Sequence, residues 1–294
     1  MPPITEADER ELDDELSGLD ALELAPAPRA ERAARIWAAT WPKVLAVALA
    51  LLLWQLVVWS GWKKPWQLPP PGPVFRALWD GIQDGTIWKG VRLTMQRAVF
   101  GYGLALVIGV AVGMLVARSR ILRSGVGSMI TGLQTMPSIA WFPLAIVLFG
   151  GNESAIMFVV VLGAAPAIAN GLLSGIDNVP PILVRAGRVL GARGTNLWRH
   201  VILPASLPTF AGGLKQGWAF AWRSLLAGEL LVIVRGKPSL GAQLSNARDL
   251  RDMELLLAIM IVILIIGILA DSLVFGRIER AVRKRFGLLD AAGS

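Results

Sequence analysis

Apolar runs separated by short polar or basic segments make up most of the chain from residue 44 onwards. The runs lie at about 44–59, 94–116, 126–149, 154–173, 205–234 and 255–275. A helix needs about 20 predominantly apolar residues to cross the hydrocarbon core of a bilayer. The pattern therefore predicts an all-α, polytopic membrane protein with six transmembrane helices.

Prolines and glycines divide these runs. Pro137 and Pro143 interrupt the third span, because proline removes a backbone donor and clashes with the preceding turn. Residues 235–252, between the fifth and sixth spans, are predicted to form a loop on the far side of the membrane. The second span carries four glycines that would let helices approach closely in a membrane: Gly101, Gly103, Gly109 and Gly113.

Basic residues set the predicted orientation. They are densest before the first span, at 118–123, in the segment 177–204 and at the C-terminal end. Lys and Arg are enriched in cytoplasmic loops, so both termini are predicted to lie in the cytoplasm of a bacterial cell, with the spans in its inner membrane. The first residues are acidic, unlike the basic start of a signal peptide. The predicted layout is an acidic, Ala/Pro-rich cytoplasmic arm at 1–40, a transmembrane domain at 41–287 and a tail at 288–294.

Composition narrows the chemistry that the chain can perform. The chain is 54% hydrophobic, with a formal net charge of +8 and a mean hydropathy of +0.57. Cysteine is absent and His200 is the only histidine, which excludes thiolate metal sites, cysteine nucleophiles and most histidine-based catalysis. No G-x-x-x-x-G-K-[ST] phosphate loop occurs. We therefore expect a transport subunit rather than an enzyme, with no metal or cofactor of its own.

The segment 177–204 is long, basic and on the predicted cytoplasmic side. Its apolar spacing predicts a helix from Pro181 that ends at the glycines Gly191 and Gly194, followed by a second short helix at 196–201. Two short helices around a glycine turn, with arginines on the exposed face, suit a docking surface for a partner protein. Juxtamembrane arginines also contact lipid headgroups, and the residues alone leave both interpretations open.

Four motifs in and around this segment are Leu68-Pro69-Pro70-Pro71, Pro137-x3-Trp141-x-Pro143-Leu144, Arg185-Ala186-x4-Leu190-Gly191-Ala192 and Leu203-Pro204-Ala205-x-Leu207-Pro208. Together they resemble motifs of ABC importer permeases of the nitrate, sulfonate and taurine branch, and the resemblance covers about residues 45–287. The chain departs from the family's E-A-A-x3-G-x9-I-x-L-P loop motif at Arg185, where the family has Glu, and at Gly187, where it has Ala. The residues assigned to this loop are Arg185, Ala186, Gly187, Gly191, Ala192, Arg193, Gly194, Val201, Leu203 and Pro204.

The resemblance implies a type I ABC importer permease fold. It implies a pore formed by two permeases, which we expect to be a homodimer. It also implies two ATPase subunits docked on the coupling helix of the 177–204 loop and an extracytoplasmic substrate-binding protein. ATP and Mg²⁺ would be bound by the ATPase, and the lipid bilayer, not nucleic acid, is the remaining partner.

Ionisable and polar residues inside the spans are candidates for the translocation pathway, because a charge in hydrocarbon costs roughly 2.5–3.5 kcal/mol. The Arg223 guanidinium suits sulfonate or nitrate oxygens, and pairing with an internal acid is the alternative. Glu229 is expected near the outer mouth, in gating or helix pairing. The tryptophans could line the pore, although such a pair more often packs between helices. The candidates are Gln134, Met136, Ser138, Trp218, Trp222, Arg223 and Glu229.

Three classes of function compete. An importer permease for a small anion is favoured, with aliphatic sulfonate ahead of nitrate, taurine or bicarbonate because residues 217–223 (GWAFAWR) resemble alkanesulfonate permeases. A stand-alone channel or secondary transporter would favour paired intramembrane acids or matching broken helices in two halves, and neither is evident. An intramembrane enzyme is disfavoured by the single histidine and the lack of an H-E-x-x-H motif.

Overall fold

The structure, a computed structural model, describes residues 29–286, except the side chains at 29–36, 39 and 120. The α-helices are α1 (Arg29–Trp59), α2 (Pro71–Gln83), α3 (Thr86–Arg118), α4 (Arg120–Thr135), α5 (Phe142–Phe149), α6 (Glu153–Asp177), α7 (Pro181–Val189), α8 (Gly194–Leu197), α9 (Leu203–Leu231), α10 (Leu240–Asp249), α11 (Met253–Leu269) and α12 (Gly276–Arg285). A 3₁₀ turn at Ser138–Trp141 precedes α5, and π-helical turns at Trp198–Ile202 and Ala270–Phe275 join α8 to α9 and α11 to α12.

Two compact units divide the chain, the first ending at Lys64 and the second beginning at Pro65. The first contains α1, which begins at Arg29, inside the segment 1–40 assigned to the cytoplasmic arm. The rest of that arm and the tail at 288–294 lie outside the described residues. The second unit contains α2 to α12 and every residue of the candidate sites.

Among the described residues, four helices are long and apolar enough to cross a membrane: Thr40–Trp59 within α1, then α3, α6 and the continuous run Met253–Arg285. The bent pair Ile121–Thr135 and Ser138–Phe149 makes a fifth if it is one span. The remaining predicted span corresponds to α9, whose 29 residues exceed the roughly 20 that a crossing needs. Helix α9 is not among the helices apolar enough to cross by length and composition, and it is the predicted span that carries Lys215, Arg223 and Glu229.

The third predicted span is broken more sharply than a kink. Its two halves, α4 and α5, meet at 101°. Pro137, with φ −56° and ψ 127°, starts the 3₁₀ turn at the break. The prediction that Pro143 also interrupts the span is wrong, because Pro143 lies in the first turn of α5. There its missing N–H costs no helical hydrogen bond.

Helix α6 lies at the centre of the second unit and packs against α3, α4 and α9. The α6–α9 contact is closest at Gly171 and Gly213, where a Cβ built on Gly171 would lie 2.4 Å from the Gly213 Cα. Gly109 and Gly113 of α3 face the α6 backbone in the same way, whereas Gly103 faces open space. Small residues thus bring the backbones together, as expected between membrane helices.

The segment 235–252 is not the plain loop that its composition predicts. Helix α10 occupies Leu240–Asp249, and its first residues are buried. The Ser239 hydroxyl caps the helix by accepting from the Ala242 N–H at 3.3 Å. The sequence of this helix contains mixed charges, and no apolar stripe extends over its whole length. The apolar pattern therefore does not predict it.

Candidate functional site

The 177–204 segment folds as its spacing predicts, into α7, a glycine turn and α8. Gly191 and Gly194 have φ values of +86° and +53°, in the left-handed region. A Cβ built at either glycine would meet nothing within 4 Å. Backbone conformation, not crowding, therefore requires glycine at both positions.

The surface of this loop carries exposed apolar side chains beside arginines. Val189 and Leu190 are 88% and 86% exposed, and they lie at the end of α7 next to the glycine turn. Arg185 and Arg193 are exposed on the same loop. A neighbouring groove of about 640 Å³ is lined in part by Ala186, His200, Pro204 and Phe286.

Gly187 is a buried residue of the loop, at the position where α7 packs against the π-helical turn that follows α8. A Cβ built there would lie 2.9 Å from Val201 Cγ2 and 3.1 Å from Leu197 Cδ1. The Val201 and Leu197 side chains thus occupy the space that the methyl group of the family's alanine would need, which accounts for glycine at position 187. Arg185, the other departure, is exposed and makes no ion pair within the described residues.

The loop continues into α9 without a break in helical conformation. Leu197, at the start of the π-helical turn, and Leu203, at its end, both have right-handed helical backbone angles. Pro204 and Pro208 lie near the start of α9 and do not stop it. One continuous helical segment therefore extends from Gly194 to Leu231.

Helix α9 has an exposed face with polar residues at intervals of seven. Thr209, Gln216 and Arg223 are all exposed on this face. The Arg223 Nε donates to the Ala219 carbonyl at 3.1 Å, and its guanidinium lies 5.2 Å from the Phe220 ring centroid. Within residues 29–286 no carboxylate pairs with Arg223, in contrast to Lys215 on the same helix, which pairs with Asp271 at 3.0 Å.

The two tryptophans of α9 are packed rather than exposed. Trp218 and Trp222 are each 8% exposed, with their rings stacked at a centroid distance of 6.2 Å. Trp218 also meets Tyr102 edge-on at 5.4 Å. Trp222 lies in addition beside Arg223 in a groove of about 680 Å³ between α9 and α11.

The polar residues near the Pro137 break occupy different surroundings. Gln134 Nε2 donates to the Pro166 carbonyl of α6 at 3.0 Å, and Met136 is 42% exposed. Ser138 lies where α6 and α9 meet: a Cβ built on Gly163 would lie 3.5 Å from Ser138 Cβ and 2.5 Å from Ser224 Oγ. The structure thus brings Ser138 to the α6–α9 contact at Ser224, whereas Gln134 contacts Pro166 of α6.

Glu229 lies in a buried hydrogen-bond network near the end of α9. Its side chain is fully buried. One carboxylate oxygen, Oε1, accepts from Arg97 Nη1 at 3.0 Å. The other, Oε2, accepts from Thr94 Oγ1 at 2.9 Å and from the Gly241 N–H at 3.1 Å.

The network continues to the surface through a second carboxylate. Arg97, itself 5% exposed, donates from Nη2 to Glu153 Oε1 at 2.9 Å. Lys237 pairs with the same Glu153 oxygen. Sequence reasoning missed Arg97, although it stands inside the predicted second span, where a charged residue signals a partner or a cavity.

Comparison with known proteins places this geometry in a family. Residues 105–284 match the family described as binding-protein-dependent transport system inner membrane component. The chain belongs to this family. Two permeases of Escherichia coli K12 are similar: one named for aliphatic sulfonates, 31% identical over 219 residues, or 74% of this chain and 82% of that one, and the taurine transport system permease protein TauC, 29% identical over 230 residues, or 76% and 82%.

The fold of the permease is that of a type I importer. The structure is similar to a chain of the inward-facing MetNI methionine ABC transporter, with a TM-score of 0.58 and 22% identity, covering 67% of this permease and 96% of that chain. The family match contains α7, α8 and α9 with Glu153, Glu229 and Lys237. It begins at Ala105, so Thr94 and Arg97 lie before it.

Proposed function

We propose that this permease forms the pore of an ATP-driven importer for a small anion, most consistently an aliphatic sulfonate, with nitrate, taurine or bicarbonate as alternatives. It would act as a homodimer with two ATPase subunits and an extracytoplasmic binding protein. The α7 loop and both termini would face the cytoplasm, and ATP and Mg²⁺ would bind to the ATPase. The single observation that carries the proposal is the exposed α7 loop, joined without a break to α9.

The docking role of the loop is supported by its surface. Val189 and Leu190 expose large apolar side chains next to arginines at the tip of a short, glycine-bounded helix. Apolar contacts surrounded by charged residues are typical of surfaces that bind another protein. A lipid-facing loop would not need two left-handed glycines, whereas a helix that fits into a partner's cleft needs a fixed direction.

Co-purification tests the docking role. The permease is tagged in its native host, purified in mild detergent, and its partners are identified. An ATPase should co-purify in equal amount, and it should be lost when Gly191 and Gly194 are both changed to Ala. The left-handed conformation costs a residue with a Cβ roughly 1–2 kcal/mol.

A matched control uses glycines in ordinary helical conformation. Gly125 and Gly127 of α4, like the loop glycines, have nothing within 4 Å of a built Cβ, but their φ is not positive. The pair Gly125→Ala and Gly127→Ala should retain the ATPase. If no ATPase co-purifies in any detergent, a stand-alone channel or secondary transporter becomes the better hypothesis.

Recognition of the anion is assigned to the exposed face of α9. A guanidinium without a carboxylate partner is expensive at membrane depth unless it faces water or a ligand. Arg223 is in that situation among the described residues, and it has a planar donor fork that fits sulfonate or nitrate oxygens. The other candidates, Gln134, Met136, Ser138, Trp218, Trp222 and Glu229, stay proposals as parts of the pathway or of its walls.

Growth and uptake test the substrate. A host strain without this gene should fail to grow on aliphatic sulfonate as the sole sulfur source, and the intact gene should restore growth. Arg223→Gln should lower uptake at least about tenfold, since a charge-assisted hydrogen bond contributes roughly 1.5–3 kcal/mol. Arg223→Lys, which keeps the charge, is the control. Unchanged sulfonate growth with lost nitrate, taurine or bicarbonate uptake would reassign the substrate.

A further inference from the structure

We propose that Thr94, Arg97 and Glu229 are positioning residues that fasten α10 to the end of α9. Movement of the α7 loop is then transmitted to α10 through α9. The proposal rests on the proposed function in one respect, because the ATPase bound to the α7 loop is taken as the source of motion. The fastening itself is a property of this chain.

The start of α10 is held by side chains from two other helices. The first amide groups of a helix have no partner within the helix. Here the Leu240 N–H donates to Thr94 Oγ1 at 2.9 Å, and the Gly241 N–H donates to Glu229 Oε2 at 3.1 Å. Thr94 Oγ1 in turn donates to the same Glu229 oxygen. Pulling α10 away would leave two buried N–H groups, those of Leu240 and Gly241, without their acceptors.

Close packing prevents α10 from sliding along α9. A Cβ built on Gly241 would lie 2.4 Å from Glu229 Cβ and 3.0 Å from the Glu229 carbonyl carbon. The backbone of α10 therefore rests directly on α9. Gln243 adds a contact with α3, since its Nε2 donates to the Thr86 carbonyl at 2.9 Å.

The charge pair makes release of the network costly. Arg97 and Glu229 are 5% and 0% exposed and their nitrogen and oxygen atoms lie 3.0 Å apart. A buried charge without its partner is strongly unfavourable, so the residues of the network should move together rather than separate. Its outer part, Glu153 with Lys237, is half exposed and can rearrange at lower cost.

Helix α9 connects this network to the α7 loop. Glu229 lies two residues before the end of α9, and the helical segment that contains it begins at Gly194, in the loop. Its α-helical part, the 29 residues of α9, is roughly 44 Å long at 1.5 Å per residue. Displacement of the loop by a docked ATPase would therefore reach α10 through consecutive helical residues and the hydrogen bonds of Glu229.

Distance measurements test the relay. The chain lacks cysteine, so Asn246→Cys on α10 or Leu231→Cys at the end of α9 gives the permease a single site for a spin label. Both positions are exposed. The ATPase is used with its own cysteines replaced. Distances between the two copies are measured in the complex purified with its ATPase, before and after trapping with ATP and vanadate. Thr94→Val removes the bridging hydroxyl, and Thr94→Ser keeps it.

In the native chain and in Thr94→Ser, trapping should shift the distance at both positions. In Thr94→Val, we expect the shift at Leu231 and the ATP hydrolysis rate to persist and the shift at Asn246 to be lost. A shift at Asn246 that is equal in Thr94→Val and Thr94→Ser would overturn the proposal. So would loss of the shift at both positions, because Thr94 would then act on α9 itself.

Hydrogen exchange tests the fastening without any partner. The Leu240 and Gly241 amides should exchange about five- to tenfold faster in Thr94→Val than in Thr94→Ser, with α6 amides unchanged. Equal exchange in the two variants would overturn the proposal, as would a general increase across α6. Absence of a co-purified ATPase or of a label–label distance would count against the proposed function alone.

Discussion

The charged residues near the two ends of α9 differ in whether they have partners within the described part of this chain. At the α10 end, the charges of Arg97, Glu153, Glu229 and Lys237 are paired with one another, and Arg97 Nε alone among their buried polar atoms has no hydrogen-bond partner in the described residues. At the α7 end, Arg185 and Arg193 make no ion pair within the described residues, and Val189 and Leu190 beside them are 88% and 86% exposed. The first arrangement pairs its charges within one chain, and the second is the surface that the proposed function assigns to the ATPase.

This difference teaches how the roles of the two ends divide. A buried charge network tolerates few changes, because each member depends on the others. An exposed docking surface tolerates many changes as far as folding is concerned, and it loses only its partner. Substitutions at the α10 end should therefore change stability, and substitutions at the α7 end should change assembly.

The largest effect is expected from Glu229→Met. It leaves the buried Arg97 guanidinium with Glu153 alone, and it should lower the free energy of unfolding by about 3–5 kcal/mol. Denaturant unfolding in detergent measures this loss. Lys237→Met, at the exposed edge of the same network, should cost less than about 1 kcal/mol. Equal losses in the two variants would show that burial does not distinguish these charges.

A smaller effect is expected midway between the ends, from Gly213→Ala. Its Cβ would lie 2.5 Å from the Gly171 Cα, so α6 and α9 must separate at a cost of about 1–3 kcal/mol. Gly212→Ala is the matched control, because nothing lies within 4 Å of its built Cβ. The control should be neutral or stabilising by up to about 1 kcal/mol. Thermal unfolding of the two variants side by side gives the answer.

At the α7 end, Gly187→Ala sharpens the comparison. The new methyl would meet the Val201 and Leu197 side chains at 2.9 and 3.1 Å, and both can shift slightly. We expect a loss of about 1 kcal/mol. If these contacts are the reason that residue 187 is glycine, adding Val201→Ala should restore the free energy of unfolding. A loss that persists in the double variant would point to the α7 backbone instead.

The smallest change in stability is expected from Val189→Ser with Leu190→Ser. Both side chains are almost fully exposed, so the free energy of unfolding should stay within about 0.5 kcal/mol of the native value. The amount of ATPase that co-purifies should nevertheless fall. Full retention of the ATPase would remove these two residues from the docking surface.

Local patterns predict the helices of this protein better than its long-range pairings. The glycine turn at Gly191 and Gly194 and the helices around it follow from spacing that can be read along the chain. Helix α10 does not, because its burial depends on contacts with Thr94 and Glu229, which are more than 140 and 10 residues away respectively.

The candidate site shows the same limit. Arg223 and Glu229 were both recognisable as charges inside a span, but their different surroundings were not. Glu229 finds Arg97, 132 residues earlier, while Arg223 stays on an exposed face. The spacing of charges within one helix does not show which charges on other helices lie close to them. The partner of Glu229 could therefore be identified only from the structure.

The contact between Gly171 and Gly213 has a mechanical consequence. It is one of several close approaches between α6 and α9, since Cβ atoms built on Gly175 and Gly228 would lie 2.9 Å from the Ser206 carbonyl oxygen and 3.0 Å from Ile156 Cγ2. Because these contacts are distributed along both helices, α6 must follow any tilt of α9. If the two helices tilt as one body, their opposite ends would move in opposite directions, so that narrowing on one side of the membrane accompanies widening on the other.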